Sequence, residues 1–175
     1  DALSSAFGTP SHGDEPPFDD EFREDGAAVE VALAPFLLSK FETTQGQWKK
    51  LTHSNPSLLR AGQTKAGVAI DLRHPVNNLT WMAANQSLAR MGATLPTEAQ
   101  WERAALAGGE WTELGESDLE ALGKRANTAD RSMRDTKELQ GFESMRVEIV
   151  DGFPITAPVG SLEPNAWGFR DMQGN

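Results

Sequence analysis

The run Leu95-Pro96-Thr97-Glu98-Ala99-Gln100-Trp101-Glu102-Arg103-Ala104-Ala105 leaves the backbone little choice. Thr97 stands where an N-cap belongs, and Gln100 three residues on can reach back to its amide, a reciprocal capping box. Glu98 puts negative charge in the first turn, where the helix dipole favours it. Trp101 and Ala105 fall one turn apart on a single face, and Gly108 supplies a stop. The same logic predicts a helix after Thr44, with Gln47 as its box partner and Trp48 and Leu51 inward. It predicts another from Trp81 to about Met91 behind a Thr80 cap, with Ala84, Leu88 and Met91 as its stripe and Gly92 as its stop. Ser117 with Glu120 predicts a fourth, ending at Gly123.

Between these helices the periodicity is weaker. Val29, Val31 and Leu33 alternate with Glu30 and Ala32, which predicts a half-buried strand, and residues 36–41 predict a second beyond Pro35. Residues 60–73 read as loop, and from Lys124 onward Gly and Pro punctuate irregular chain. The expectation is one loop-rich α+β domain over residues 29–175, behind a turn-rich lead-in over residues 1–28.

That lead-in is acidic. Of the net charge of −10, nine acidic side chains against Arg23 place −8 in residues 1–30, so the remainder carries only −2. Nucleic acid and anionic membrane are poor partners for such a surface. With Pro10, Pro16 and Pro17 in it, the segment reads as a solvated irregular loop rather than a cation or basic-partner site. The chain has no cysteine, which removes disulfides, thiolate metal sites and a cysteine nucleophile from these residues. His12, His53 and His74 are too widely spaced for a zinc or non-haem iron pair, and His74, preceding Pro75, is expected to pack at a turn. No nucleophile elbow, P-loop or dinucleotide fingerprint is present. The tryptophans and Phe169 are expected mostly in the core rather than on a ligand platform. The chain opens at Asp1 without an initiator Met, so no compartment is assigned.

Six segments, in order, resemble the formylglycine-generating enzyme (sulfatase-modifying factor) family. Residues 95–105 resemble its L-P-T-E-A-E-W-E-x-A-A motif. Residues 36–48 resemble its F-x-x-x-K-x-E-V-T opening, in wording similar to that of members fused to serine/threonine kinases. His74-Pro75-Val76-Asn77-Asn78-Leu79-Thr80-Trp81 resembles H-P-V-x-x-V-S-W, and Asn127-Thr128-Ala129-Asp130 resembles N-x-A-D. Residues 157–169 resemble A-P-V-G-S-F-x-P-N-x-F/W-G-L, and Asp171-Met172-Gln173-Gly174-Asn175 resembles D-M-x-G-N. Thr94 stands where the family usually has Arg, Arg103 where it usually has Tyr, and the Y-P-W-G turn is not recognisable.

The resemblance implies the family's mixed, loop-rich fold, related to C-type lectin-like folds, with this chain as its amino-terminal portion up to the G-N-V-W-E-W motif. It implies a calcium ion held by Asn127, the Thr128 carbonyl, Asp151 and the Phe153 carbonyl, with Gly152 allowing a tight path between the last two. The residues by themselves read as an Asx turn at Asn127 and a glycine turn at Asp151. Asp171 and the Gly174 carbonyl would supply half of a second calcium site. Copper would be bound only if cysteines beyond Asn175 supplied it.

Three functions are compatible with the resemblance. The expectation is a calcium-stabilised, non-catalytic ligand- or partner-binding regulatory module. The alternative is a copper-dependent oxidase that converts a sulfatase cysteine to formylglycine, with its cysteines outside this chain. A third is an iron-dependent sulfoxide synthase of the ergothioneine type. The expected partner is the remainder of the same domain, bound as a separate chain or segment after proteolytic nicking and completing the site around Asp171 and Gly174.

Overall fold

The computed structural model describes residues 31–109, 116–136, 138 and 149–175, with the side chains of 116–119 excluded. The chain divides into two units, Asp1–Ala32 and Leu33–Asn175. The acidic lead-in lies outside the described residues, as do the first residues of the expected 29–33 strand.

Five helices and one small sheet make up the regular structure of the described part of the second unit. They are α1 (Gln45–Thr52), β1 (Thr64–Lys65), β2 (Val68–Ala69), α2 (Trp81–Ala89), α3 (Glu98–Leu106), α4 (Glu116–Arg125) and α5 (Arg131–Arg134). The architecture is mixed helix and sheet and rich in loops. Both capping boxes form: the Thr44 hydroxyl accepts from Gln47 N and the Thr97 hydroxyl from Gln100 N, while each Gln reaches back to its cap amide. Thr80 caps α2 through Ala83 N. Among the described residues no helix is long and apolar enough to cross a membrane.

Several expectations are corrected. Residues 36–41 form no strand, and Val31 to Leu33 join no ladder. Pro35 removes a donor there, and Leu33, Phe36 and Leu38 spend their apolar side chains on the wall of a groove. Residues 60–73, expected as loop, carry the only sheet among the described residues, the antiparallel pair Thr64 with Ala69 and Lys65 with Val68. α2 stops at Ala89, and Met91 is exposed. α3 ends on Ala107, which takes the left-handed conformation ahead of Gly108 and donates its amide to Arg103 O. α4 runs through Gly123 to Arg125. Gly123 is there for close approach: a Cβ would sit 2.6 Å from the Ile149 side chain. The Ser117 cap falls on a side chain outside the described ones. α5, four residues behind an Asp130 cap, was not foreseen.

The interior explains why apolar periodicity was a partial guide. Among the described residues half of the buried apolar side chains are alanines, with Trp48, Ile70, Ile149 and Leu162 the larger ones. The largest fully buried side chains are instead polar: His74, Gln45, Asp130 and Ser57. Buried polar atoms must find partners, and Gln45 shows how they do. Its amide nitrogen donates to Leu59 O at 2.9 Å, and its oxygen accepts from Asn55 Nδ2 at 2.8 Å and Ala61 N at 3.0 Å. One side chain thereby ties the loop after α1 to the helix start. His74 packs at a turn as expected, its Nδ1 3.1 Å from Asp71 Oδ1. Of the tryptophans among the described residues only Trp48 is buried; Trp81, Trp101 and Trp167 are exposed, which corrects the core assignment.

Candidate metal site and the carboxylates around it

Asp130 organises the site. It is fully buried, and its Oδ1 accepts from Ser132 N at 2.7 Å and Met133 N at 3.2 Å, which starts α5. Its Oδ2 accepts from Asp151 N at 2.7 Å, which draws the distant 151–153 segment against the loop before α5. The Asp151 carboxylate then answers: Oδ2 accepts from Thr128 N and Oδ1 from Phe153 N, at 2.8 and 2.7 Å. Asn127 donates through Nδ2 to the Ile155 carbonyl and, at 3.1 Å, to Asn175 Oδ1. Asn127, Thr128, Asp151 and Phe153 are therefore brought together across a long stretch of chain.

Asp171 and Gly174 border the same region. Asp171 adopts a left-handed backbone (φ 61°); its Oδ2 accepts from Gly160 N at 2.9 Å, and its Oδ1 is buried without a partner. The Gly174 carbonyl accepts from Asn127 N at 3.1 Å. Gly174 is required here because a Cβ would lie 2.7 Å from Asn127 O.

The donor chemistry is that of a hard cation. Among the described residues no group of three or more His, Cys, Asp or Glu is placed to hold a metal, which disfavours zinc or iron at this position. Asn127, Thr128, Asp151 and Phe153 carry between them one carboxylate, one side-chain amide oxygen and backbone carbonyl oxygens. Among the described residues no donor reaches Asn127 Oδ1 or the carbonyls of Thr128 and Phe153, and Thr128 Oγ1 is buried without a partner. Burial, with the Asp130 charge adding to it, pushes the Asp151 carboxyl above its ordinary range despite the two amides that favour its ionised form. Burial also raises Asp171. A cation beside either group would offset that cost.

Glu42 is the third raised carboxyl, pushed up to about 7 by burial, with Asp171 adding and the bond from Asn175 Nδ2 at 2.8 Å opposing. Because the folded value exceeds the ordinary 4.5, the protonated form favours the fold. That contribution is complete below about pH 4.5 and is lost as pH rises through 7. Glu42→Gln keeps an acceptor for Asn175 without the charge. In chelator it is expected to match the wild type in stability at pH 4 and to exceed it by about 1–2 kcal/mol at pH 8. Urea unfolding at both pH values checks this; a constant offset between the two proteins would show that Glu42 does not titrate between them.

Sequence reasoning missed Asp130, Glu42 and Asn175 as site residues, although each lies inside a motif it quoted. The available signal was Asp130 directly before Arg131-Ser132, a capping position.

Comparison with known proteins agrees with the motifs. The profile of the sulfatase-modifying factor enzyme 1-like domain matches residues 5–175. The chain belongs to that family. It is 32% identical over 102 residues to the formylglycine-generating enzyme of Thermomonospora curvata, an overlap of 58% of this chain and 31% of that protein. The chain thus spans about a third of that relative's length. No solved structure matches it significantly. Of the motif segments, residues 127–130 and 151–153 meet at Asp130, and the D-M-x-G-N segment joins them through Asn127.

Proposed function

We propose that this domain is a calcium-stabilised, non-catalytic module that binds a ligand or protein partner, on a fold related to lectin-like folds. The observation that carries the calcium part is the meeting of Asn127, Thr128, Asp151 and Phe153, where no donor of the described residues reaches Asn127 Oδ1 or the Thr128 and Phe153 carbonyls. Calcium takes carboxylate, amide and backbone carbonyl oxygens, so these four residues are the ones that would hold it. Bound there, the ion would pin the 151–153 segment to the start of α5 and relieve the charge of Asp151. Asp171 and Gly174 would contribute to a second ion. The partner-binding part is supported by side chains such as Leu37, Trp81 and Met82, which stand exposed and would suit contact with further polypeptide of the same domain. The absence of any cysteine from residues 1–175 supports the non-catalytic part.

A second reading comes from the relative from Thermomonospora curvata, which is named a formylglycine-generating enzyme. On it, this chain is the scaffold of a copper-dependent enzyme that makes formylglycine with cysteines located elsewhere.

One sample set tests the calcium site and the non-catalytic reading. Calcium at about a hundred times its Kd is expected to stabilise the chain by about 2.7 kcal/mol, raising Tm by about 5–11 °C, and chelator is expected to reverse it. Magnesium, which tolerates irregular cages poorly, is expected to do little. The same protein supplied with copper is expected to leave the cysteine of a sulfatase-motif peptide unoxidised. An unchanged Tm sinks the calcium site, and peptide turnover sinks the non-catalytic reading.

A further inference from the structure

Asn165 builds a second feature that shares no residue with the calcium candidates. Its Nδ2 donates to Ala104 O at 2.8 Å and Ala105 O at 3.3 Å, satisfying carbonyls at the end of α3. Its Oδ1 accepts from Trp167 N and Phe169 N, both at 3.1 Å. The indole of Trp167 is thereby fixed beside α3, and the Arg103 guanidinium stacks on it, 4.7 Å from the ring centroid. Opposite runs the extended segment that failed to become a strand. Leu33, Phe36 and Leu38 from that segment, with Phe169, Trp167 and Arg103, line a groove of about 410 Å³.

The walls are apolar and the volume is that of a small-molecule site. Among the described residues that line the groove, the one charged side chain is the cationic Arg103. Stacking occupies the face of the Arg103 guanidinium and leaves its N–H edges, which present a planar fork matched to a carboxylate. Arg73, Lys124, Arg131 and Arg134 all sit against carboxylates, whereas no carboxylate among the described residues pairs with Arg103. A second cation lies close by: the Lys40 ammonium approaches Gly168, 3.6 Å from where a Cβ would be, and it too has no acidic partner among the described residues. Among the described residues, then, two cations without acidic partners stand near an apolar trough.

We propose that this groove binds an amphipathic carboxylate, a small molecule whose aliphatic tail lies along Leu33, Phe36 and Leu38 and whose head is held by the Arg103 fork. The inference does not rest on the calcium reading, and calcium or chelator should leave it unchanged.

Octanoate, hexanoate and octanol are the probes, titrated by ligand-observed NMR and tryptophan fluorescence against the wild type, Arg103→Gln and Arg103→Lys. Octanoate is expected to bind more tightly than hexanoate, by up to about fourfold per methylene, and about tenfold more tightly than octanol. Arg103→Gln is expected to erase the preference for octanoate over octanol while keeping the chain-length dependence; Arg103→Lys is expected to restore part of it. Arg103 is exposed on α3, so the variants should keep the wild-type circular dichroism, which is checked first. Equal binding of octanoate and octanol to the wild type overturns the proposal, as does a preference that survives Arg103→Gln. Absence of octanoate binding at 10 mM, roughly where such a contact would fall below a useful −3 kcal/mol, also overturns it. So does a sedimenting dimer that octanoate fails to dissociate, since the groove would then be closed by a second copy.

Discussion

Asp130→Ala is expected to destabilise the domain by about 3 kcal/mol, a fall in Tm of about 6–12 °C. The loss has two parts. Ser132 and Met133 lose the cap of α5, and Asp151 N loses the acceptor that holds its segment in place. Asp130→Asn separates them, because the amide oxygen can still cap α5 while its NH2 faces Asp151 N with a donor. The Asn variant should therefore retain roughly the capping share, about 1 kcal/mol, and lose the rest. Urea midpoints at unchanged m decide it. If Asn were as stable as the wild type, the Asp130 to Asp151 tie would contribute nothing, and the two segments would be held by other means.

Asn175→Ala is expected to have a comparable effect, about 2–4 kcal/mol, because one amide ties together Glu42, Asn127 and Ala157. Oδ1 accepts from Ala157 N at 2.7 Å and Asn127 Nδ2 at 3.1 Å; Nδ2 donates to Glu42 at 2.8 Å and Ala157 O at 3.2 Å. Removing it also leaves Glu42 without the bond that favours its ionised form, so the Glu42 carboxyl should rise further. Asn175→Asp keeps the acceptor but places a carboxylate against Glu42. Its deficit should therefore be larger at pH 8 than at pH 5, and equal deficits at the two pH values would show that the two groups do not interact.

The helices were legible because their signals are local. Thr44 with Gln47 and Thr97 with Gln100 each specify a helix start within four residues, and both boxes form. The strands were not legible, since alternation reports only that a face is apolar. Leu33, Phe36 and Leu38 satisfy that condition by lining a groove. The polar interior left no trace in hydropathy at all: nothing about Gln45 as a letter distinguishes a buried hub from a solvated side chain. The site was legible only through resemblance. Thr128 and Asp151 are 23 positions apart, and no spacing rule brings them to 2.8 Å. The exposed Trp81 and Trp167 were misplaced because a large aromatic is a good core residue by size and an equally good surface one when a loop presents it.

The bond between Glu42 and Asn175 spans 133 positions, nearly the whole second unit. Closing a loop that long is penalised by chain entropy before any contact offsets it. The capped helices can form as soon as they are made, but the Asn175 hub must wait until Asn175 itself has left the ribosome. During synthesis Glu42, Asn127 and Ala157 would therefore sit with open hydrogen-bonding positions. Such late, distant pairings fold slowly. The chain is most exposed to chaperones and to aggregation in the interval before Asn175 arrives.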